Sequence, residues 1–301
     1  MQLDGHAPLP PSLETYDTPV RAVLVGADGT PELADVAEPD GPGETVRVLA
    51  CGLCGSDVER LRPGHAGAVL GHEVVAETAD GRRVALVHHA PCGECPRCLA
   101  GHETTCERFA AATIRPGGFA ERVRAQGWVE LPEGVDTPLG TAVEPLACVL
   151  RGAERVPPGR VLVVGQGFVG TLFAAVLRRR GDDVFAVDAD PRRTGRAPDG
   201  PVGAAVLAAP GGVETALAAL EPGGTLLLFA DAGPIPAGPV YRRELTVAGR
   251  RSATPASMRE AAALLPELAL PAPTVLPLAR FADGLARFRA HDDPKIVFVP
   301  A

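Results

Sequence analysis

Lysine is almost absent from this sequence: of its 29 basic residues only Lys295 is a lysine, and the others are arginines. Because no Gly-Lys-Ser or Gly-Lys-Thr step occurs, there is no P-loop for a nucleoside triphosphate. Neither Tyr16 nor Tyr241 is followed by a lysine four residues later, which excludes the Tyr-x-x-x-Lys pair of short-chain dehydrogenases. A Schiff-base enzyme would have to use Lys295 itself, in a run that predicts a last strand.

Long apolar runs and an excess of positive charge are also missing. No stretch of about 18 apolar residues occurs, so no transmembrane helix and no membrane partner are expected. The N-terminus lacks the basic and apolar regions of a signal peptide, so we expect an arm over residues 1–20 and a reducing, cytoplasmic location. A net charge of −8 argues against nucleic acid as a partner.

The length of 301 residues favours about two domains. The sequence pattern also differs between the first and the second half of the chain. Between Arg21 and Glu144, short β-branched runs alternate with Gly and Pro, which predicts a partly open β-barrel. After Pro157, continuous apolar strands alternate with helices, as in a doubly wound parallel sheet. Strands are expected to begin at residues 160, 183, 204, 225 and 245, with helices over 168–180, 213–220 and 255–268.

Four of the seven cysteines form the strongest motif, Cys92-x-x-Cys95-x-x-Cys98-x7-Cys106. Four thiolates around one ion give the closed tetrahedral site of structural zinc. The spacing lets one loop wrap the ion, and the fourth cysteine closes the site. An iron–sulfur cluster is the alternative, since closely spaced Cys-x-x-Cys runs also ligate clusters.

A second group of metal-ligand residues comes earlier in the chain. Cys54 lies in the run Cys-Gly-Leu-Cys-Gly-Ser-Asp at 51–57, and His72 and Glu73 follow. One thiolate, one imidazole and a carboxylate leave zinc an open position, which is typical of a catalytic site. Such a zinc polarises an alcohol or carbonyl oxygen. Asp57 is predicted to hold His72 by its second ring nitrogen.

The fingerprint Gly-x-Gly-x-x-Gly occupies residues 165–170, directly after a strand and at the start of a helix. These glycines allow a pyrophosphate to approach the helix N-terminus closely. An acid ends the next strand and can accept the ribose hydroxyls, which favours NAD over NADP, although the arginine pair 192–193 keeps NADP as an alternative. The residues expected at the cofactor are Gly165, Gly167, Phe168, Val169, Gly170, Asp188 and Arg193.

Taken in order, these motifs resemble the zinc-dependent medium-chain dehydrogenases, the superfamily of alcohol and polyol dehydrogenases. The resemblance extends from Arg21 to Pro300. It implies a GroES-like catalytic domain over residues 21–147, completed by 271–301. A Rossmann NAD-binding domain over 148–270 would be inserted between them.

The Glu-Pro-Leu step at 144–146 is similar to that of the sorbitol, threonine and aminocyclitol dehydrogenases. The resemblance implies hydride transfer between a secondary alcohol (a polyol, sugar or aminocyclitol) and NAD. It also implies one catalytic and one structural zinc per chain, in a homodimer or homotetramer. Ser56 matches the position whose hydroxyl accepts the substrate proton. The implied ligands of the catalytic zinc are Cys54 and His72, completed by Glu73, by Glu144 or by both, with Cys148 as a rival.

The main departure from the family is a shortened segment. Only 15 residues separate Asp188 from the strand that starts at Ala204, too few for a further helix and strand. We therefore predict that the sheet lacks its third strand, an edge strand in the usual order, and that NAD binds more weakly than in full-length relatives. The alternatives are a dehydrogenase of simple or aromatic alcohols and a non-catalytic zinc-binding relative.

Overall fold

The computed structural model describes residues 19–109 and 111–300. The predicted arm, residues 1–20, lies outside this range except for its last two residues, of which Val20 already belongs to the first strand. Within the described ranges, no helix combines the length and the apolar character that crossing a bilayer requires.

The strands and helices follow each other as the sequence pattern predicts. The strands are β1 (Val20–Val25), β2 (Pro31–Val36), β3 (Glu44–Gly52), β4 (Glu73–Glu77), β5 (Arg83–Leu86), β6 (Ile114–Arg115), β7 (Arg122–Ala125), β8 (Trp128–Glu130), β9 (Arg160–Val164), β10 (Asp183–Val187), β11 (Val202–Leu207), β12 (Leu220–Leu228), β13 (Thr246–Gly249), β14 (Thr274–Pro277) and β15 (Ile296–Val299). The α-helices are α1 (Gly55–Arg60), α2 (Pro96–Leu99), α3 (Thr137–Gly140), α4 (Val143–Ala153), α5 (Phe168–Arg180), α6 (Val213–Ala219), α7 (Ala237–Arg242), α8 (Pro255–Leu264) and α9 (Phe281–Ala290).

A curled, mainly antiparallel sheet is built from the first part of the chain and its C-terminal end. Its strands lie in the order β14-β15-β3-β4-β5-β8, and β7 pairs with both β3 and β6. Along β3, Val46, Val48 and Ala50 alternate with more exposed residues and are buried, as one face packed on a core requires. This confirms the predicted partly open barrel, which the returning strand β15 completes beside β3.

The second sheet is parallel, with strand order β10-β9-β11-β12-β13. The apolar run of β9 lies at its centre, and helices α5 and α6 pack against the strands. No helix or strand occurs between β10 and β11, so β10 is the edge strand. The returning chain covers this edge with two backbone hydrogen bonds, from Gly195 N to Ala186 O and from Ala186 N to Arg196 O. The predicted loss of the third strand is therefore confirmed.

Helix α4 joins the two sheets. It packs against α5 and α8. The largest apolar core contains side chains from both sheets, such as Val75 of the curled sheet and Val163 of the parallel one. The predicted domain boundary at residues 147–148 falls inside this helix and stays a prediction.

Candidate active site

The four cysteines between residues 92 and 106 come together around one point. Their sulfur atoms lie within 4.8 Å of one another, with Cys92 Sγ 3.9 Å from Cys98 Sγ and Cys95 Sγ 4.0 Å from Cys106 Sγ. Around a single tetrahedral ion with metal–sulfur bonds of about 2.3 Å, sulfurs lie roughly 3.8 Å apart. The arrangement therefore fits one zinc ion better than a cluster of several irons, which would hold its ligands further apart.

Backbone N–H groups prepare these sulfurs to act as thiolates. Cys92 N and Arg108 N donate to the sulfur of Cys106 at 3.4 and 3.3 Å. The N–H of Glu107 is the main cause that lowers the pKa of Cys95 to about 6, and similar bonds lower the pKa of Cys106. Burial instead raises the pKa of Cys98 to about 12. We refer to residues 92–106 as the cysteine lobe.

A second group forms where α1 begins and β4 begins. The ligand atoms of Cys54, His72 and Glu73 lie within 4.8 Å of one another. Cys54 is the N-cap of α1, and His72 follows Gly71, whose φ of +97° is accessible to glycine. A side chain at Gly71 would also collide with Cys51 Sγ and Phe119 N. A thiolate, an imidazole and a carboxylate this close together suit a zinc ion with an open position.

Asp57 orients this group from inside α1. Its carboxylate accepts hydrogen bonds from Cys54 N at 3.0 Å and Gly71 N at 3.2 Å, and its Oδ1 lies 3.2 Å from His72 Nδ1. The predicted contact between Asp57 and His72 is therefore confirmed. Burial alone would raise the pKa of Asp57, but His72 and the two N–H groups lower it below its ordinary value. Burial likewise opposes charge on His72, yet the carboxylate raises its pKa well above the ordinary value.

Lys295 contacts the metal-ligand group, and the sequence did not reveal its partners. The ammonium is buried, donates to Leu53 O at 3.0 Å and forms an ion pair with Glu73. Its nitrogen also lies 5.1 Å from the centroid of the Phe168 ring. Burial would lower the pKa of Lys295, but Glu73 and Cys54 raise it. A single lysine directly before an apolar strand was itself a signal, because a buried charge needs a partner.

Glu144 and Cys148 face the same site from α4. They lie four residues apart on one helix face, and Cys148 Sγ donates to Glu144 Oε1 at 3.3 Å. Burial raises the pKa of both groups, so the thiol stays protonated as the donor. The structure does not bring Glu144 into the close group of Cys54, His72 and Glu73.

Two further predicted neighbours are positioned by the same elements. Ser56 lies exposed on α1, in the first turn after Cys54. Cys51 is buried, and burial raises its pKa well above the ordinary value. It is therefore a protonated thiol beside the site.

His88 and His89 were also missed by the sequence analysis. They follow β5, and the ring of His88 lies 4.8 Å from that of His72 and 3.9 Å from that of His89, measured between centroids. Burial, together with the charges of His72 and Arg60, lowers the pKa of His88 to about 2. The same causes lower the pKa of His89 to about 4. Both rings are therefore neutral hydrogen-bonding groups. Their position just before Cys92 was the available signal.

The glycine loop joins β9 to α5. Gly167 is the N-cap of α5 and makes no side-chain cap, so the first N–H groups of the helix are available to an anion. No atom lies within 4 Å of a Cβ placed on Gly167, whereas one on Gly170 would lie 1.8 Å from Gly165 O. The loop therefore has an open side for a pyrophosphate and a tightly packed side, which fits a dinucleotide. Phe168 and Val169 form the first turn of the helix.

Asp188, at the end of β10, braces this loop. Its carboxylate accepts hydrogen bonds from Gln166 N at 2.6 Å and from Arg193 Nη2 at 2.8 Å. Burial would raise the pKa of Asp188, but these bonds and that of Asp190 N lower it. The structure therefore joins Asp188 and Arg193, both predicted at the cofactor, to the glycine loop.

Comparison with known proteins shows similarity to alcohol and polyol dehydrogenases. Residues 41–133 match the alcohol dehydrogenase GroES-like domain. L-galactonate-5-dehydrogenase of Escherichia coli is 29% identical over 174 residues, which are 50% of this chain and 51% of that enzyme. L-threonine 3-dehydrogenase of Streptomyces avermitilis is 35% identical over 179 residues, 50% of this chain and 51% of that enzyme. The chain thus spans about half the length of the curated relatives it matches.

Solved structures extend the likeness of fold over nearly the whole chain. A zinc-binding dehydrogenase from Sinorhizobium meliloti 1021 bound to NADP has a TM-score of 0.80 at 24% identity and covers 94% of this chain and 100% of its own. Acetophenone reductase from Geotrichum candidum in complex with NAD has a TM-score of 0.81 at 18% identity, with 95% and 98% covered. With its match to the GroES-like domain, its parallel sheet and its two metal-ligand groups, the chain is similar to the zinc-binding medium-chain alcohol dehydrogenases.

Proposed function

We propose that this protein is a zinc- and NAD-dependent dehydrogenase that moves hydride between a secondary alcohol and the cofactor. The position of Lys295 is the observation that carries the proposal. Its ammonium pairs with Glu73 and lies 5.1 Å from the centroid of the Phe168 ring. The metal-ligand group and the glycine loop are therefore neighbours, and hydride transfer requires this proximity.

The chain's own residues bind and orient the reactants. A zinc ion in this site would polarise the substrate oxygen, and NAD would accept the hydride. Cys54, His72 and Glu73 are the proposed ligands, and Asp57 fixes the imidazole through its Nδ1. Ser56 is the proposed acceptor of the hydroxyl proton, since it is exposed on the helix that Cys54 caps.

Glu144 is the proposed further ligand, acting with Glu73 or in alternation with it. It faces His72 and Glu73 closely enough for their charges to act on it. Cys148 donates a hydrogen bond to Glu144 and keeps its proton, which favours the carboxylate over the thiol as ligand.

Polar surroundings favour polyols, sugars and aminocyclitols over simple or aromatic alcohols. Ser56, His88, His89 and Glu144 all lie around the metal-ligand group, and each buried substrate hydroxyl needs such a partner. Matched relatives named for L-idonate and galactitol 1-phosphate support the same substrate class.

The remaining predictions form part of the proposal. NAD is the proposed cofactor, with NADP as the alternative because Arg193 pairs with Asp188 at the place of the ribose. The proposed location is a reducing cytoplasm, and the proposed assembly is a dimer or tetramer. The division into a GroES-like part, residues 21–147 with 271–301, and a Rossmann part, residues 148–270, completes it.

NADH formation over a panel of polyols and simple alcohols tests the proposal. The expected result is turnover of polyols that a chelator removes and added zinc restores, with slower turnover of aromatic alcohols. Calorimetric titration with NAD accompanies the assay. If no substrate turns over and NAD does not bind, the chain is a non-catalytic zinc-binding relative instead.

A further inference from the structure

Aromatic rings and one guanidinium form a continuous row that starts at the metal-ligand group. The ring of His72 lies tilted beside that of His88, and the ring of His88 lies tilted beside that of His89. The ring of His89 stacks on that of Phe109, with their centroids 3.8 Å apart. The guanidinium of Arg251 lies 4.7 Å above the Phe109 ring. We call these side chains the ring row.

Residues distant in sequence build the ring row. His88 and His89 end the segment after β5, Phe109 follows the cysteine lobe, and Arg251 follows β13 of the parallel sheet. The row therefore bridges the curled sheet and the parallel sheet along one side of the metal-ligand group.

Arg151 of α4 fixes the backbone that carries Arg251. Its Nη1 donates to Arg251 O at 2.8 Å and to Ser252 O at 2.5 Å, and its Nη2 donates to Thr104 Oγ1 in the cysteine lobe at 3.3 Å. Arg151 is buried while Arg251 is exposed. A held backbone and an aromatic platform orient the guanidinium of Arg251 before any ligand binds.

Arg60 supplies a second positive charge. It comes four residues after Ser56 on α1, so the two side chains share a helix face. After burial and the charge of His72, the charge of Arg60 contributes to lowering the pKa of both His88 and His89, and the charge of Arg251 contributes to lowering that of His89. Among residues 19–109 and 111–300, neither Arg60 nor Arg251 forms an ion pair with an acid.

Two guanidiniums without an acidic partner, beside the rings of His88 and His89, form a binding surface for an anion. Guanidinium pairs with carboxylate or phosphate through charge-assisted hydrogen bonds. A substrate with hydroxyls alone would offer these two arginines no opposite charge.

We propose that the substrate of this dehydrogenase is a polyol that carries an anionic group, a carboxylate or a phosphate ester, bound at Arg60 and Arg251 beside the His88–His89 rings. The inference rests on the proposed function and names its substrate class. The reacting hydroxyl would lie at the metal-ligand group and the anionic end along the ring row.

Matched substrate pairs test the inference in the zinc-loaded protein with NAD. The pairs are glucitol with gluconate and galactitol with galactonate, and the 1-phosphate of galactitol separates phosphate from carboxylate. We expect kcat/KM for an anionic member to exceed that of its neutral partner about tenfold or more, the effect of one charge-assisted bond. Arg60→Gln and Arg251→Gln should each reduce that ratio about tenfold, and Arg251→Lys should reduce it less than Arg251→Gln.

Arg259→Gln is the matched control, since it removes one exposed positive charge from α8 and should leave the ratio unchanged. Circular dichroism checks that each variant is folded. Calorimetric titration with gluconate and with inorganic phosphate gives a readout independent of turnover, in which Arg251→Gln should weaken binding and Arg259→Gln should not.

Equal turnover of neutral and anionic partners, with ratios unaltered in both variants, would overturn the inference and leave the proposed dehydrogenase function intact. Absence of turnover with every alcohol would contradict the proposed function instead. In that case the calorimetry still decides: binding of anions that ignores Arg60 and Arg251 contradicts the anion site.

Discussion

The two metal-ligand groups of this chain both present donors that suit zinc, but different parts of the chain hold them in place. The cysteine lobe takes four sulfurs from 15 consecutive residues and holds them with local backbone N–H groups. The Cys54 group takes its donors from the starts of α1 and β4, within 20 residues of sequence. It depends in addition on Asp57 within α1 and on Lys295, which directly precedes β15 and lies more than 200 residues away.

The difference in construction matches a difference in surroundings. The four thiols of the cysteine lobe can fill all four positions around a metal ion, and two pairs of their sulfurs lie 3.9 and 4.0 Å apart. The Cys54 group offers three donors and lies among buried charges, with the ring of His88 beside that of His72. A local closed site can stabilise a loop, whereas an assembled open site can act on a substrate.

The largest expected effect is a difference in how much each metal-ligand group contributes to the free energy of unfolding. Cys106→Ser should remove one metal ion per chain and lower the free energy of unfolding by about 5 kcal/mol or more, because binding of a structural ion contributes to folding. Cys54→Ser should remove the other ion with a much smaller loss of stability, while activity falls about a thousandfold. Metal analysis and chemical denaturation measure both.

The matched thiol Cys148 provides the control for Cys54. Cys148→Ala should keep two ions per chain, since its thiol donates to Glu144. Equal destabilisation by Cys106→Ser and Cys54→Ser would contradict the contrast between a structural and an open site.

The second effect tests the buried ion pair of the assembled group. Lys295→Met leaves the carboxylate of Glu73 buried without its partner, so we expect a loss of about 3–5 kcal/mol in the free energy of unfolding. Adding Glu73→Gln to Lys295→Met should recover part of that loss in a double-mutant cycle. An unchanged denaturation midpoint for Lys295→Met would show that the pair does not support this group.

The third effect concerns the orientation of His72. Asp57→Asn weakens the hold on Nδ1 and should lower metal affinity at the Cys54 group by about 10–100-fold, with the cysteine lobe unaffected. Competition with a chromophoric chelator resolves the two affinities. Asp80→Asn, at an exposed acid in a turn, is the control and should change neither. Weakening at both sites would mean that the substitution acts through general unfolding.

The smallest expected effect concerns the binding of NAD at the parallel sheet, which should not depend on the cysteine lobe. Because β10 has lost its neighbouring strand, NAD should bind with a dissociation constant above the low micromolar range, and Cys106→Ser should leave that value nearly unchanged. Calorimetric titration measures both. Low-micromolar or tighter binding by the unaltered protein would count against the expected weakening.

The same contrast explains what the sequence could predict. The cysteine spacing, the glycine fingerprint and the shortened segment after Asp188 are local, so the sulfur arrangement, the loop at α5 and the missing strand all follow from counting residues. The contact of Asp57 with His72 was also predictable, because both lie in short motifs.

Contacts between segments that are distant in sequence could not be predicted from these local patterns. Lys295 was recognised as the single lysine, but its pairing with Glu73 depends on β15 returning beside β3. The position of His88 and His89 just before Cys92 was only a weak signal, since their approach to His72 and Phe109 depends on how the sheet brings distant segments together. The pairing of Glu144 with Cys148, by contrast, follows from the helix repeat.

Zinc content and NADH formation, measured together on the unaltered protein and on Cys54→Ser, test the central claim most directly. The account predicts two zinc ions per chain and polyol-dependent NADH formation for the unaltered protein. It predicts one ion, in the cysteine lobe, and almost no NADH formation for Cys54→Ser. A Cys54→Ser protein that keeps both ions, or that forms NADH at the original rate, would contradict it.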